Sequence, residues 1–350
     1  MITISDIAEQ AKVSRGTVDR VIHERGGVSR ENIDRVKKAM IELNYRPNIF
    51  ARGLSLSKTF VFGVLMPDLA YDIKYWQLPK AGVDRAQELL AGFKVKIKYY
   101  HFDITNDASF DRVCGDVIRE CDQLDGLLLS GSNAEPTAEF LKKIPPQLPY
   151  VLFDTTIPDA KPLSFIGTDS FKSGVLGARL IHMLMEAPGE IAIIKLQPDN
   201  FEINNRVAGF VSFFEELPDY LLNIYDADRS ADKYIFTHTT KRILEEKSDI
   251  KAIFVPSSAV HEVAEAAQFQ SSRRKIYIIG YDLTDENAYY LKEGTIDFLI
   301  NRRPKMQSYR GIDTLYSHVV KREPVESQLL IPFDIVAREN IDYYLADFRW

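Results

Sequence analysis

Three closely spaced helical segments occupy the first 43 residues, and they constrain the fold more than any other feature of this 350-residue chain. Apolar residues in the first two segments recur every three to four positions, as a single buried helix face requires. These residues are Ile4, Ile7, Ala8, Ala11, Val18 and Val21. Lys12 and Val13 form a tight turn between the segments, and Ser14 is placed to cap the second helix. This pattern predicts a helix-turn-helix unit.

A third helix is predicted after Ser29, which has the side chain of a good N-cap residue. Its buried stripe consists of Ile33, Val36, Ala39, Met40 and Leu43. Such a small bundle leaves its second helix largely exposed, with Arg15, Thr17 and Arg20 on the outer face. Cationic and hydroxyl side chains of this kind contact DNA. We therefore predict an all-α, DNA-reading head.

The charge of the chain is divided unevenly between this head and the remainder. The net charge is −6, yet residues 1–58 contain eleven Lys and Arg against seven Asp and Glu, a balance of +4. The remaining residues therefore carry −10. A basic end on an acidic body is typical of a protein that holds DNA at that end.

Other sequence features indicate a protein without a membrane segment, cofactor or metal. The sequence shows no export signal and no apolar run of the ~20 residues that span a bilayer, so we expect a cytoplasmic location. Cys114 and Cys121 lie seven positions apart in a predicted helix, roughly 10 Å along its axis and beyond disulfide reach. The six His residues show no metal-ligand spacing.

Beyond residue 59 the pattern changes to apolar strands that alternate with helices. We predict strands at 60–66, 94–102, 126–130, 150–153, 164–166, 190–196, 221–226, 252–255, 276–279 and 298–301. We predict helices at 77–91, 107–122, 134–143, 171–186, 204–216, 230–247, 258–268, 285–293 and 304–321. Buried strands that alternate with helices form parallel sheets covered on both faces. Ten strands are many for one twisted sheet, so we expect two doubly wound parallel-sheet subdomains.

Ligands of such sheets bind beyond the carboxyl ends of the strands, and polar or aromatic residues cluster there in this sequence. The candidates are Asp68, Tyr71, Tyr75, Trp76, Ser130, Asp154, Asp169, Arg206, Ser257 and Asp282. Carboxylates and guanidinium groups bind sugar hydroxyls, while aromatic rings pack on apolar sugar faces. Other roles stay open: Asp169 can be a helix N-cap, Arg206 a surface ion-pair residue, and Tyr75 and Trp76 core residues.

Two segments of the head resemble the lactose-repressor (LacI/GalR) family of transcriptional regulators. Residues 4–22, ISDIAEQAKVSRGTVDRVI, match the opening of the family almost position for position, and residues 36–48, VKKAMIELNYRPN, match the approach to its hinge. Weaker similarities follow in the body, such as Arg206 with Gly209-Phe210, Gly280-Tyr281-Asp282 and Glu339-Asn340-Ile341.

This resemblance implies a division of the chain into three parts. Residues 1–46 would form the helix-turn-helix domain, 47–58 the hinge helix, and 59–350 an effector-binding and dimerisation domain like the periplasmic sugar-binding proteins. Within the last part, we expect one subdomain from 59–168 with 284–328. The other would combine 169–283 with 329–350.

The resemblance also implies which residues contact DNA. In the major groove these would be Ser14, Arg15, Gly16, Thr17 and Arg20, and in the hinge Asn48, Ala51, Arg52 and Leu54. Leu54 would enter a minor-groove step as an apolar wedge. An ordinary linker remains the alternative for this segment. Asp19 replaces a small hydroxyl residue common in the family, which puts the operator sequence in doubt.

In the body, the resemblance assigns Asp154, Arg206 and Asp282 to effector contacts. Ser257 stands where many family members have Asn, and Arg302 stands where many have Gln. Because of these two differences, we predict the ligand only as a sugar or sugar derivative. A sugar acid stays open because Arg206, Arg302 and Arg303 could all lie near the cleft.

The expected function is therefore sequence-specific regulation of transcription, most simply repression, by a homodimer that a small carbohydrate controls. The alternative is a cytoplasmic sugar-binding module without a role in DNA regulation. An α/β enzyme is disfavoured because the sequence lacks a dinucleotide-binding glycine motif after a strand, a phosphate loop and a nucleophile elbow.

Overall fold

The computed structural model describes residues 3–22, 26–43, 58–69, 74–131, 134–196, 200–227, 234–247, 249–268 and 275–346. The chain divides into two compact units, Met1–Ser57 and Lys58–Trp350. The predicted hinge, 47–58, lies outside the described residues except for Lys58.

The described part of the small unit contains helices α1 (Ile4–Ala11), α2 (Arg15–Ile22) and α3 (Arg30–Glu42). The Thr3 side chain caps α1, and Lys12 ends that helix in the left-handed conformation at φ 53°. This residue makes the tight turn that the sequence predicts. Ser14 accepts a hydrogen bond from the Thr17 N–H at 3.1 Å, and Ser29 caps α3, so both predicted caps are confirmed.

The core of the small unit is built from the residues that the helical period selects. Its buried members are Ile7, Ala8, Ala11, Val18, Val36 and Ala39, with Val21, Met40 and Leu43 packed against them. Ile33, which was predicted in the buried stripe of α3, is only partly buried. The small side chains of α1 allow α3 to lie close to it. A helix-turn-helix bundle is the result.

The large unit contains two sheets of six strands in its described residues, with predominantly parallel pairing. The first has the order β11-β5-β4-β3-β1-β2 and the second β12-β10-β9-β8-β6-β7. The strands are β1 (Phe60–Pro67), β2 (Val95–Phe102), β3 (Gly126–Ser130), β4 (Tyr150–Phe153), β5 (Ser164–Gly167), β6 (Glu190–Leu196), β7 (Leu221–Ala227), β8 (Ile250–Phe254), β9 (Tyr277–Tyr281), β10 (Phe298–Asn301), β11 (Gln328–Leu330) and β12 (Asp334–Val336).

Helices cover both faces of each sheet, because strands buried on two sides need apolar cover on both. They are α4 (Gln77–Leu90), α5 (Asp107–Glu120), α6 (Ala134–Leu141), α7 (Ser170–Leu184), α8 (Phe201–Phe214), α9 (Ile235–Glu246), α10 (Val260–Gln268), α11 (Asp285–Lys292), α12 (Pro304–Tyr316) and α13 (Ile341–Ala346). A π-helical turn, Ser317–Lys321, extends α12. The predicted class, an all-α head with two doubly wound subdomains, is confirmed.

The expected subdomain boundaries are wrong in two regions. Residues 329–330 were expected in the second subdomain, yet they belong to β11, which pairs with β5 in the first sheet. Residues 284–328 were expected in the first subdomain, yet β10 pairs with β9 and β12 in the second sheet. The chain returns to the first sheet only after β10, where α12 packs on β3, β4 and β5. The sequence of β10 is compatible with either sheet, so its order along the chain did not show where the chain returns to the first subdomain.

Three elements at the end of the chain were not predicted. Strand β11 pairs with β5 in the first sheet, and β12 pairs antiparallel with β10 in the second. Helix α13 buries Ile341 in the second core. Among the described residues, no helix combines the length and apolarity that crossing a membrane requires.

Helices α7 and α8 approach so closely that glycine is required at their contact. A Cβ at Gly174 would lie 2.8 Å from the carbonyl carbon of Arg206, and a Cβ at Gly209 would lie 2.8 Å from that of Phe171. Side chains at either position would collide with the backbone of the other helix. This reciprocal contact fixes α8, and with it the side chains that α8 directs toward the functional site.

Candidate functional site

The predicted DNA-contacting residues of the head lie on and just before α2. Arg15, Gly16 and Arg20 are exposed on this helix. The hydroxyl oxygens of Ser14 and Thr17 lie 2.9 Å apart in a hydrogen bond that belongs to the helix cap. The predicted hinge contacts Asn48, Ala51, Arg52 and Leu54 lie outside the described residues, as does Tyr71 of the body.

In the large unit, the candidate site is the cleft at the carboxyl ends of the central strands of both sheets. Adjacent strands β1, β3 and β4 of the first sheet place there Asp68, Ser130 and Asp154. Adjacent strands β8, β9 and β10 of the second sheet place there Ser257, Asp282 and Arg302. The rule for ligand sites in parallel sheets predicted five of these positions, and the family resemblance supplied Arg302.

Two aspartates occupy equivalent, strained positions in the two halves of the cleft. Asp154 follows β4 at φ 65°, and Asp282 follows β9 at φ 63°, both in the left-handed region. The Asp154 N–H donates to Ile166 of the neighbouring strand, and the Asp282 N–H donates likewise to Ile300. Asp is one of the few side chains that tolerates this conformation, and such strain concentrates at functional sites.

The guanidinium of Arg302 joins these two carboxylates. Its Nε lies 3.1 Å from Asp282 Oδ2 and its Nη2 bonds the same oxygen, while Nη1 lies 2.7 Å from Asp154 Oδ1. The Tyr75 hydroxyl donates to that Asp154 oxygen at 2.7 Å, and the guanidinium carbon lies 5.2 Å from the centre of the Tyr75 ring. Four of the predicted site residues therefore form one hydrogen-bonded network.

Burial gives this network unusual electrostatics. Burial alone would lower the pKa of Arg302, but the surrounding Asp282, Tyr75 and Asp154 raise it well above its ordinary value. Burial also raises the pKa of the Tyr75 hydroxyl well above its ordinary value. The guanidinium and phenol therefore keep their protons, and the pair of carboxylates is held by a permanent cation.

Arg206 projects from α8 into the same region and is 3% exposed. Its Nη1 donates to the Pro256 carbonyl at 2.8 Å, and its guanidinium carbon lies 5.0 Å from the centre of the Tyr281 ring. Within the described part of the chain, its Nε has no hydrogen-bond partner. Burial, followed by the charge of Arg302, lowers its pKa. A buried cationic donor without an acceptor costs free energy that a ligand oxygen would recover.

Glu202 is a cleft residue that sequence reasoning missed. It lies one helical turn before Arg206 on α8, is 4% exposed, and accepts from the Thr156 N–H at 3.4 Å. Burial raises its pKa above the ordinary value. The i,i+4 spacing to Arg206 was the available signal. Tyr281, whose ring lies beside both Arg206 and Arg302, was quoted only as part of a family motif.

The alternatives left open by the sequence have different outcomes. Asp169 caps α7 by accepting from the Lys172 N–H at 2.9 Å, so its N-cap role is confirmed. Tyr75 and Trp76 both belong to the core of the first subdomain, where Trp76 packs edge-on against Phe153. Trp76 Nε1 is buried without a hydrogen-bond partner among the described residues.

Arg303, the third arginine considered for the cleft, is held elsewhere. Its Nε lies 2.7 Å from Asp334 Oδ2 and its Nη2 lies 2.6 Å from Asp334 Oδ1. This bidentate pair belongs to the second sheet, because Asp334 is the first residue of β12. Arg303 is therefore neutralised by a carboxylate that lies within its own subdomain.

Comparison with known protein families identifies both units. The family described as bacterial regulatory proteins, lacI family, matches residues 3–48. The family described as periplasmic binding protein domain matches residues 62–323, which is most of the chain. The boundary between the two compact units falls between these two matches.

Individual relatives agree with these families. The ribose operon repressor of Lactococcus lactis is 25% identical over 97% of this chain and 98% of its own length. Catabolite control protein A of Staphylococcus xylosus is 32% identical over 41% of each chain. A Bacteroides fragilis structure assigned as a LacI transcriptional regulator matches 82% of this chain and all of its own, with 28% identity and a TM-score of 0.76. Two of these relatives are named as an operon repressor and as a transcriptional regulator.

Proposed function

Because this chain belongs to the lacI family of bacterial regulatory proteins and regulates transcription by binding DNA, we propose that a carbohydrate in its cleft controls that binding. The observation that carries the proposal is Arg206, a buried cation whose Nε lacks an acceptor in the described part of the chain. The carboxyl groups of Asp154 and Glu202 and the ring of Tyr281 lie near it. A sugar suits this set of groups, because its hydroxyls both accept and donate hydrogen bonds and its ring has apolar faces.

The charges around the cleft favour an uncharged sugar over a sugar acid. Of the three arginines considered, Arg303 is paired with Asp334, and Arg302 is paired with two carboxylates. Arg206 is then the cation left for a ligand, and the Glu202 carboxyl lies one turn away. A carboxylate on the ligand would have Arg206 as its guanidinium partner, but it would add negative charge beside Asp154 and Glu202.

The similarities also suggest where a search for the ligand should begin. One relative is named a ribose operon repressor, and the sugar ABC transporter protein of Bacillus halodurans shares the fold of the body with a TM-score of 0.69 at 22% identity. Pentoses and hexoses are therefore the first compounds to test. The predicted dimer is part of the proposal, since two heads are needed to read a palindromic operator.

For DNA binding, we propose that Arg15 and Arg20 contact base edges and that Gly16 lets the backbone come close. An Arg at a guanine contributes about 1–3 kcal/mol of discrimination. Ser14 and Thr17 would contact phosphate from the helix start. In the hinge, Leu54 would enter the minor groove, with Asn48, Ala51 and Arg52 beside it.

The proposed control is a two-state coupling. A sugar between the two sheets would change their relative orientation, and this orientation would set the spacing of the two hinges in a dimer. Hinges that are held apart could not pair in the minor groove. The coupling must be reciprocal, with operator changing sugar affinity by the same factor, typically worth about 1–3 kcal/mol.

The test is operator binding by the full-length chain, with the operator selected from random DNA and measured at a stated salt concentration. The bound complex is titrated with a panel of pentoses, hexoses and the matching sugar acids. Release by one neutral sugar, and loss of that response in Arg206→Met with operator affinity retained, would support the proposal. The proposal would be contradicted if specific DNA binding responded to a sugar acid or a phosphate ester but to no neutral sugar.

A further inference from the structure

A path of protein groups crosses the cleft from one sheet to the other. Asp154 belongs to the first subdomain, at the end of β4, and Asp282 to the second, at the end of β9. Arg302 follows β10 of the second sheet and contacts both carboxylates. Its side chain therefore connects two bodies that any opening of the cleft must separate.

The two halves of the Arg302 contact differ in kind. Its bond to Asp282 stays within the second subdomain, and the Arg302 backbone N–H also donates to Asp282 Oδ1 at 3.3 Å. Its bond to Asp154, through Nη1 at 2.7 Å, spans the cleft. Tyr75 donates to the same Asp154 oxygen and so fixes the carboxylate where Nη1 reaches it. Separation of the subdomains would break the Asp154 contact and leave the Asp282 contact intact.

Burial makes this contact stronger than a surface ion pair. The side chains of Arg302 and Asp154 are only 5% and 11% exposed, and that of Asp282 is fully buried. In such surroundings water screens the charges poorly, so their attraction is much larger than between exposed groups. The geometry is also favourable, because the fork on Asp282 holds the guanidinium plane while Nη1 points across the cleft.

Two further contacts cross the cleft nearby. Lys74, directly before Tyr75 in the first subdomain, forms an ion pair with Glu286 on α11 of the second. The Thr156 N–H, just beyond Asp154, donates to Glu202 on α8 at 3.4 Å. The Lys74 side chain is 56% exposed, so its ion pair contributes little by itself. These contacts hold the same two bodies in the same orientation.

We propose that Arg302 is a positioning residue that ties the two subdomains together across the cleft. The protein itself, through the Arg302–Asp154 bond, then sets the closed orientation before an effector arrives. An effector alters that orientation by changing this bond, either by competing for Asp154 or by adding contacts beside it. The tie concerns the subdomains alone, so it stands or fails independently of the proposed sugar and of DNA binding.

The chain offers a matched control in the next residue. Arg303 has the same charge, adjoins Arg302 at the same crossing, and forms a bidentate pair with Asp334. That pair stays within the second subdomain. Arg302→Gln and Arg303→Gln therefore remove the same group from neighbouring positions, but only the first removes a contact across the cleft.

The experiment measures the distance between the subdomains in the purified full-length chain, with neither sugar nor DNA added. Spin labels are placed at Glu135→Cys on α6 and Tyr289→Cys on α11, two exposed positions in different subdomains. The natural Cys114 and Cys121 are replaced in every sample. Pulsed electron spin resonance then gives the distribution of label distances for each variant.

We expect Arg302→Gln to shift the main distance to longer values and Arg303→Gln to leave it unchanged. Because Arg302→Gln leaves buried Asp282 without its cation and can fail to fold, Asp154→Asn is measured as well. This second variant keeps the Arg302–Asp282 pair, and Asn accepts the left-handed backbone at this position. It should give a smaller shift in the same direction.

Circular dichroism identifies the variants that are folded. Unchanged distances in folded Asp154→Asn would overturn the proposal, whether or not Arg302→Gln folds. An equal lengthening in Arg303→Gln would also overturn it, because loss of a charge at the crossing would then suffice.

Discussion

Replacement of Gly174 by alanine tests whether close contact between α7 and α8 fixes the cleft. The new Cβ would lie 2.8 Å from the carbonyl carbon of Arg206 and still closer to its oxygen. Both obstructing atoms are backbone of the facing helix, so no side-chain rotation can relieve the collision. The two helices must move apart at the residue whose guanidinium lies in the cleft.

The size of the effect follows from two opposed terms. Alanine in place of glycine inside a helix stabilises it by roughly 0.5–1 kcal/mol. Overpacking in a close-packed interior costs typically about 1–3 kcal/mol, and a backbone obstacle places Gly174 at the upper end. The free energy of unfolding of the large unit should therefore fall by about 2 kcal/mol. For a unit of this size, that corresponds to a melting temperature lower by about 4 °C.

The assay is thermal unfolding of the full-length chain, with Gly115→Ala as the matched control. Gly115 lies inside α5, where a new Cβ would have only Arg119 Nη1 within 4 Å, at 3.5 Å. The same substitution there should raise the melting temperature, since the propensity term acts alone. A Gly174→Ala chain that is as stable as the natural chain, or that is stabilised like Gly115→Ala, would refute the account of the contact.

Three further substitutions have expected outcomes. Burial raises the pKa of the Glu202 carboxyl above its ordinary value of 4.5, so the free energy of unfolding should fall as pH rises through the pKa of the folded state. Glu202→Gln should flatten that part of a plot of melting temperature against pH. Ile341→Ala should lower the free energy of unfolding by about 2–5 kcal/mol in a denaturant titration, because this α13 side chain is fully buried. Ser14→Ala should remove about 1 kcal/mol from the head, measured by its helical circular dichroism on heating, because Thr17 loses the cap acceptor.

The elements that sequence predicted best are those whose local composition decides their structure. Strand β3 has the predicted bounds, because five consecutive buried residues favour a strand covered on both faces. Strands β11 and β12 have three residues each and begin with polar Gln328 and Asp334. Such short segments become strands only because an existing sheet edge pairs with them, and no local pattern reports that partner.

The candidate site shows the same division between local and non-local information. Asp154 and Asp282 could be selected because each directly follows a buried strand, and that position is a local property. Arg302 could also be selected by its position after a strand. Its contact with both carboxylates could not be predicted, because Asp154 lies 148 positions and Asp282 lies 20 positions before it in the sequence. Arg303 has the same charge and is the next residue in the sequence, yet it forms an ion pair with Asp334 and does not contact the two cleft aspartates.

The cleft is built from two similar half-sites that Arg302 makes unequal. In each half, an aspartate leaves a buried strand in the left-handed conformation while its N–H bonds the neighbouring strand. Two such carboxylates facing each other in a poorly screened cleft repel and would favour separation of the sheets. A cation from β10 reverses the sign of that interaction, because Arg302 attracts both carboxylates at once. Arg302 therefore converts a repulsive pair of carboxylates into a contact between the subdomains.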